Sequence, residues 1–103
     1  MRVIALSTLR SFWALPAHRH AEQALKAWYA EATAAAWTQP ADVKARYANA
    51  SILKGGRVVF NIKGNDYRLI VSISYKQQVV YVKFVGTHVA YDAIDAETVD
   101  QTQ

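Results

Sequence analysis

Between Arg57 and Gly86, apolar side chains recur at every second position over three consecutive segments, and this limits the fold more than any other feature of the chain. Val58, Phe60 and Ile62 share one face of Arg57–Ile62. Leu69, Val71, Ile73 and Tyr75 share one face of Tyr67–Tyr75, and Val80, Val82 and Phe84 share one face of Val79–Gly86. Successive side chains of a strand point to opposite faces, so the spacing predicts an antiparallel meander with one buried face. Lys63-Gly64-Asn65-Asp66 is hairpin chemistry, because Gly and Asn tolerate positive φ, and Lys76-Gln77-Gln78 makes a second tight connection.

The other face follows by subtraction. It holds Arg57, Val59, Asn61 and Lys63, then Arg68, Ile70, Ser72 and Ser74, then Tyr81, Lys83 and Val85. Pairing the last two strands about Gln77 sets Arg68 beside Gly86 and Ser72 near Val82. His88, just past the last strand, then emerges beside the start of the second, so Arg68, Lys83 and His88 are expected to converge.

Upstream, Arg2–Leu6 reads as an edge strand. Ser7 and Thr8 are suitable N-caps for a helix that places Leu9, Phe12 and Trp13 on one face and stops at Pro16. A second helix is expected over Ala17–Trp37, with Leu25, Trp28, Tyr29, Ala32 and Ala36 on its apolar stripe. Trp28 and Trp37 read as packing residues of helices laid on the sheet. Asp42–Tyr47 suggests a short helical turn, and Lys54-Gly55-Gly56 opens the sheet. Two amphipathic layers must close around one core. The expected architecture is α+β, a single domain over residues 1–103, with two N-terminal helices on one face of an antiparallel sheet. A short helical C-terminal segment is also allowed for.

Composition excludes several functions. There is no cysteine, so disulfides, thiolate catalysis and Cys-based metal sites are absent. No apolar run approaches the roughly 18 residues of a membrane span, and Met1–Leu6 is too short for a signal peptide. A cytoplasmic protein without a membrane partner is the default expectation. All 12 Lys and Arg lie in residues 1–91, opposed there by Glu22, Glu31, Asp42 and Asp66, which leaves +8. Residues 92–103 carry Asp92, Asp95, Glu97 and Asp100 and no base, giving −4. A basic body suggests a polyanion or an acidic protein as partner.

One chemistry fits the polar face. Attack on RNA by its own 2′-hydroxyl needs a group to take that proton, cations to stabilise the phosphorane, and an acid for the 5′ oxygen. His88 suits proton transfer, and Arg68 and Lys83, fixed on strands, suit charge stabilisation. Tyr91 and Tyr81 suit base stacking. The same residues also read as ordinary ones. A single His after a strand is more often structural or exposed than catalytic, and Arg68 and Lys83 serve equally as solvated sheet residues. Asp92 fits an ion-pair partner or a helix N-cap, and His18 and His20, flanking Arg19, read as surface residues. No tight ligand spacing around His88 points to a metal.

The run Asn61-Ile-Lys-Gly64-Asn65-Asp-Tyr-Arg68-Leu69, then Val82-Lys83-x-Val85-x-Thr87-His88-x-x-Tyr91-Asp92, resembles the HigB family of bacterial toxins in the RelE/ParE superfamily. The likeness in pattern extends over nearly the whole chain. It implies a RelE-like fold and a ribosome-dependent mRNA endonuclease that needs no metal or other cofactor. The implied partners are mRNA on the ribosome and a helix-turn-helix (HigA-like) antitoxin, with operator DNA reached only through the antitoxin complex. Carried onto the matching positions, Arg68, Lys83, His88 and Tyr91 are the expected catalytic residues. Asn61 and Lys63 are the expected RNA contacts, joined by Arg57 and Tyr81 from the same face, and Asp92 is expected to orient His88 or to cap a helix. The alternative is a superfamily toxin that acts by binding a protein, or a degenerate binding module. The acidic C-terminus departs from the basic ends of many such toxins; a solvated, frayed tail is the expectation, with folding back over the basic face as the alternative.

Overall fold

The computed structural model describes residues 1–102. In chain order the elements are β1 (Arg2–Ile4), α1 (Leu6–Ala14), a 3₁₀ turn (Pro16–Ala21), α2 (Glu22–Ala34), α3 (Pro40–Arg46) and β2 (Ser51–Ile52). There follow a short 3₁₀ turn at Lys54–Gly56, then β3 (Arg57–Ile62), β4 (Tyr67–Ser74), β5 (Val79–Thr87) and α4 (His88–Asp92). The meander β3-β4-β5 is antiparallel, as its alternation requires. The whole sheet runs β1-β5-β4-β3-β2, and β1 lies parallel to β5. The sheet is therefore mixed, not wholly antiparallel. Three residues of edge strand carry no signal of direction, and β2 adds two more that the sequence did not reveal.

The helices also start and stop differently from the expectation. Ala5, in the left-handed region at φ 74, occupies the N-cap of α1 without a side-chain bond, so Ser7 and Thr8 lie inside the helix. Pro16 does end α1, and its fixed φ opens the 3₁₀ turn. The α-helix then runs only from Glu22 to Ala34, and Trp37 is buried from an extended segment beyond it. The Met1 amino group donates to the carbonyls of Ala32, Thr33 and Ala35, placing positive charge on the open C-terminus of α2. None of the described helices is long and apolar enough to cross a membrane.

Leu9, Leu25, Trp28, Ala32 and Val43 share one buried cluster with Val58, Phe60, Ile62, Leu69, Val71, Ile73, Val80 and Val82. Trp28 meets Phe60 edge-on at 5.5 Å, and Trp37 and Tyr47 complete the aromatic group around the same ring. Glu31 accepts from the Tyr47 hydroxyl and pairs with Arg46 at 2.6 Å, tying α2 to α3. Burial and the Glu31 carboxylate together push the Tyr47 phenol well above its usual range.

The meander contains one irregularity with large effects. Ile70 faces Phe84 but Val71 faces Val82, so Lys83 is an extra residue, a β-bulge. The expected pairing of Arg68 with Gly86 holds, whereas Ser72 faces Tyr81 rather than Val82. Beyond the bulge the alternation is inverted. Val85 enters the helix-side core, and Phe84 joins Val59 and Ile70 on the other face, the reverse of the sequence expectation.

That second face is covered. Tyr91, Ile94, Ala96 and Val99 pack on Val59, Ile70 and Phe84. The Arg57 guanidinium donates to the carbonyls of Ala96 (3.1 Å) and Val99 (2.8 Å). β1 accompanies β5 only as far as Tyr81; further on, Gln101 takes the Lys83 carbonyl with its amide and the Val85 amide with its side chain. The expected frayed tail is in fact a strap, because three apolar side chains on this face needed a cover.

Candidate functional site

The site is built at the hairpin end of the sheet. Lys63 and Gly64 both take positive φ to turn β3 into β4. Arg68, two residues into β4, then lies between Asn61 of β3 and Gly86 of β5. Gly86 has to be small: a Cβ there would meet the Phe84 ring at 2.7 Å. α4 leaves β5 directly, with the Thr87 hydroxyl accepting from the Ala90 amide as N-cap. The His88 amide donates to the Asp66 carbonyl at 3.1 Å, which fixes the start of α4 against the hairpin.

This arrangement brings α4, with His88 and Tyr91, to the end of the sheet where Arg68 faces Gly86. The Arg68 guanidinium stands 5.8 Å from the Tyr91 ring centre, a cation–π contact, and donates to the carbonyls of Asn65 (3.0 Å) and Tyr67 (3.2 Å). A guanidinium has five N–H donors, so the group is oriented while others stay available to an anion. His88 lines a groove of about 340 Å³ with Lys63, Asp66, Tyr67, Thr87, Val89 and His20. The ion pairs among the described residues lie elsewhere, so Lys63 faces this groove without a carboxylate partner.

Lys83 belongs to a different group. Its ammonium pairs with Asp100 at 3.2 Å and lies 5.8 Å from the Tyr81 ring, and both partners of the ion pair are largely shielded. Two hydrogen bonds from Thr102, with Lys83 adding to them, hold the Asp100 carboxyl down at about 2. No side-chain bond links Lys83, Arg68 and His88 to one another among the described residues: Lys83 pairs with Asp100, Arg68 meets the Tyr91 ring, and His88 lines the groove with Lys63. Arg57 is spent on the strap carbonyls. Asp92 is the last residue of α4 and forms no side-chain hydrogen bond among the described residues. Thr87 is the cap, and Asp92 does not orient His88 here.

His20, expected at the surface, is exposed, and the fold brings its 3₁₀ turn to the groove that His88 lines. The strap had a readable sign, since Val59 and Ile70 stand among the polar residues of the outer face. A larger groove of about 510 Å³ lies between α1 and Gln101, lined by Ser7, Thr8, Ser11, Phe12, Leu15 and Val85, but it holds no titratable side chain and offers no proton transfer.

Residues 21–94 match the family model HigB_toxin, described as the RelE-like toxic component of a toxin–antitoxin system. That span contains Arg68, His88 and Tyr91 and stops at Ile94, where most of the strap begins. No curated protein matches the chain.

Proposed function

The chain belongs to the HigB toxin family, the toxic half of a toxin–antitoxin pair with an antitoxin as its partner, and from that premise we propose that it is a ribosome-dependent endoribonuclease cutting translated mRNA. What supports this reading is an Arg68 guanidinium held over Tyr91 and a groove lined by His88 and Lys63, both at the hairpin end of the sheet. In the proposed reaction the 2′-oxygen attacks the adjacent phosphorus, a 2′,3′-cyclic phosphate forms, and the P–O5′ bond breaks. Arg68 and Lys63 stabilise the charge that builds on the non-bridging oxygens, His88 transfers a proton, and Tyr91 stacks on a base. Asn61, beside Arg68 in the sheet, contacts the RNA backbone. Lys83, Tyr81 and Arg57 extend the track only if phosphates replace Asp100 and the strap carbonyls. The antitoxin is of the helix-turn-helix type and carries the complex to operator DNA.

A second reading is a toxin that arrests growth by binding a protein. It is favoured by the engagement of Arg57 and Lys83 with the chain's own tail, which removes two cations from the face. Mapping mRNA 5′ ends after induction separates the two. The endonuclease generates new ends within translated regions, and the protein-binding toxin arrests growth without them.

A further inference from the structure

Cleavage by 2′-oxygen attack moves two protons at once: one leaves the 2′-hydroxyl and one reaches O5′. One imidazole serves one of these transfers, and near neutral pH the other falls to a second group with an unperturbed pKa near 7. Among the residues expected at the site, none qualifies. Lysine and arginine side chains ordinarily keep their charge and tyrosine its proton at neutral pH, and the Tyr91 ring serves as a stacking surface against Arg68.

The chain has two other histidines. His18 stacks flat on Phe12 with ring centres 4.1 Å apart, meets Tyr67 edge-on, and has its Nδ1 buried without a partner, so it is a packing ring. His20 is exposed and lines the same groove as His88, across from the hairpin. The Pro16–Ala21 turn places it there: packing His18 inward leaves His20 outward two residues later. The titratable and charged groups around this groove are His20, Lys63, Asp66, Tyr67 and His88. One lysine and two imidazoles lining a groove of this size suit a phosphodiester.

We propose that His20 is the second proton-transfer residue, so that His20 and His88 divide the general-base and general-acid steps on a phosphodiester bound at Lys63. This rests on the endonuclease reading. The proton removed from the 2′-hydroxyl goes to one imidazole, and the other gives its proton to O5′ as the P–O5′ bond breaks. No metal or redox partner enters the balance.

The test is single-turnover cleavage of ribosome-bound mRNA by the full chain, His20→Ala, His20→Gln and His88→Ala, over pH 5 to 9. Each message is used with a normal linkage and with sulfur in place of O5′ at the cleavage site. Thiolate leaves without protonation, so the sulfur substrate rescues whichever variant lacks the acid. The expected result is a bell-shaped profile for the unsubstituted chain and a loss of about 10²–10⁴-fold in each variant. Each variant also loses one limb of the bell, and sulfur rescues only one of the two histidine sites. Antitoxin binding by the His20 variants, unchanged, checks the fold. Wild-type rate and both limbs in His20→Ala overturn this assignment alone, as does rescue at both sites or at neither. Absence of cleavage by the unsubstituted chain overturns the endonuclease reading and this assignment with it.

Discussion

At the scale of single residues, Arg68 and Trp28 carry opposite kinds of importance. Arg68 is partly buried, and what it contributes is a guanidinium aimed by Tyr91 and two carbonyls. Arg68→Ala is expected to lower cleavage by about 10²-fold or more while leaving thermal unfolding nearly unchanged. Arg68→Lys is expected to recover only a fraction, since an ammonium lacks the planar fork. Comparing single-turnover rates with melting temperatures separates these effects. Trp28 lies at 2% exposure against Phe60 and touches nothing catalytic. Its replacement by Ala is expected to cost about 3–5 kcal/mol in urea unfolding, with the rate per folded molecule preserved. Trp28 was legible as core from its helical spacing. His20 was not, because a position's local pattern does not say which distant element it will face.

At the scale of elements, the β5 bulge and the C-terminal strap explain where sequence reading stopped. Phe84 and Val85 are adjacent and both apolar, so the alternation fits either phase and the extra residue at Lys83 leaves no trace in it. The strap spaces Ile94, Ala96 and Val99 among acidic residues with no period, which is the composition of a solvated tail. Its need was legible in Val59 and Ile70; its path was not. Deleting residues 94–103 is expected to expose Val59, Ile70 and Phe84, lower stability by on the order of 3 kcal/mol and raise binding of a hydrophobic dye.

The strap is also expected to respond to acid. The folded Asp100 carboxyl lies at about 2, below its unfolded value near 4, so its contribution is complete above about pH 4 and is lost as pH falls toward 2. Amide shifts of Val85 and Gln101 followed by NMR should move over that window, and Asp100→Asn should remove its part of the change. Titration of those amides only above pH 5 would count against the Lys83–Asp100 tether.

At the scale of the whole molecule, charge and topology act together. The sheet brings the hairpin, the start of β4 and α4 to one end, and there the cations Lys63 and Arg68 have no carboxylate partner among the described residues. The acidic strap engages Arg57 and Lys83 in the middle of the outer face, so the cations of that face left unpaired among the described residues lie toward that end. The three-strand meander and its buried face short of the bulge were readable, because a period of two fixes faces; the register beside the turn differs by one residue from the expectation, and Arg68 meets Gly86 only beyond the bulge. The direction of β1 and the separation of Lys83 from the site were not, since both depend on contacts between segments far apart in sequence. Co-expression with the partner antitoxin is expected to suppress growth arrest by the unsubstituted chain, and His88→Ala alone is expected to abolish arrest while the antitoxin still binds.

The most direct measurement is to add the purified chain to ribosomes halted on a defined message and to read the RNA ends. A product with a 2′,3′-cyclic phosphate and a matching 5′-hydroxyl fragment, both lost in Arg68→Ala and His88→Ala, is what this account expects. Intact message on ribosomes, from a chain that still arrests growth in cells, would contradict it.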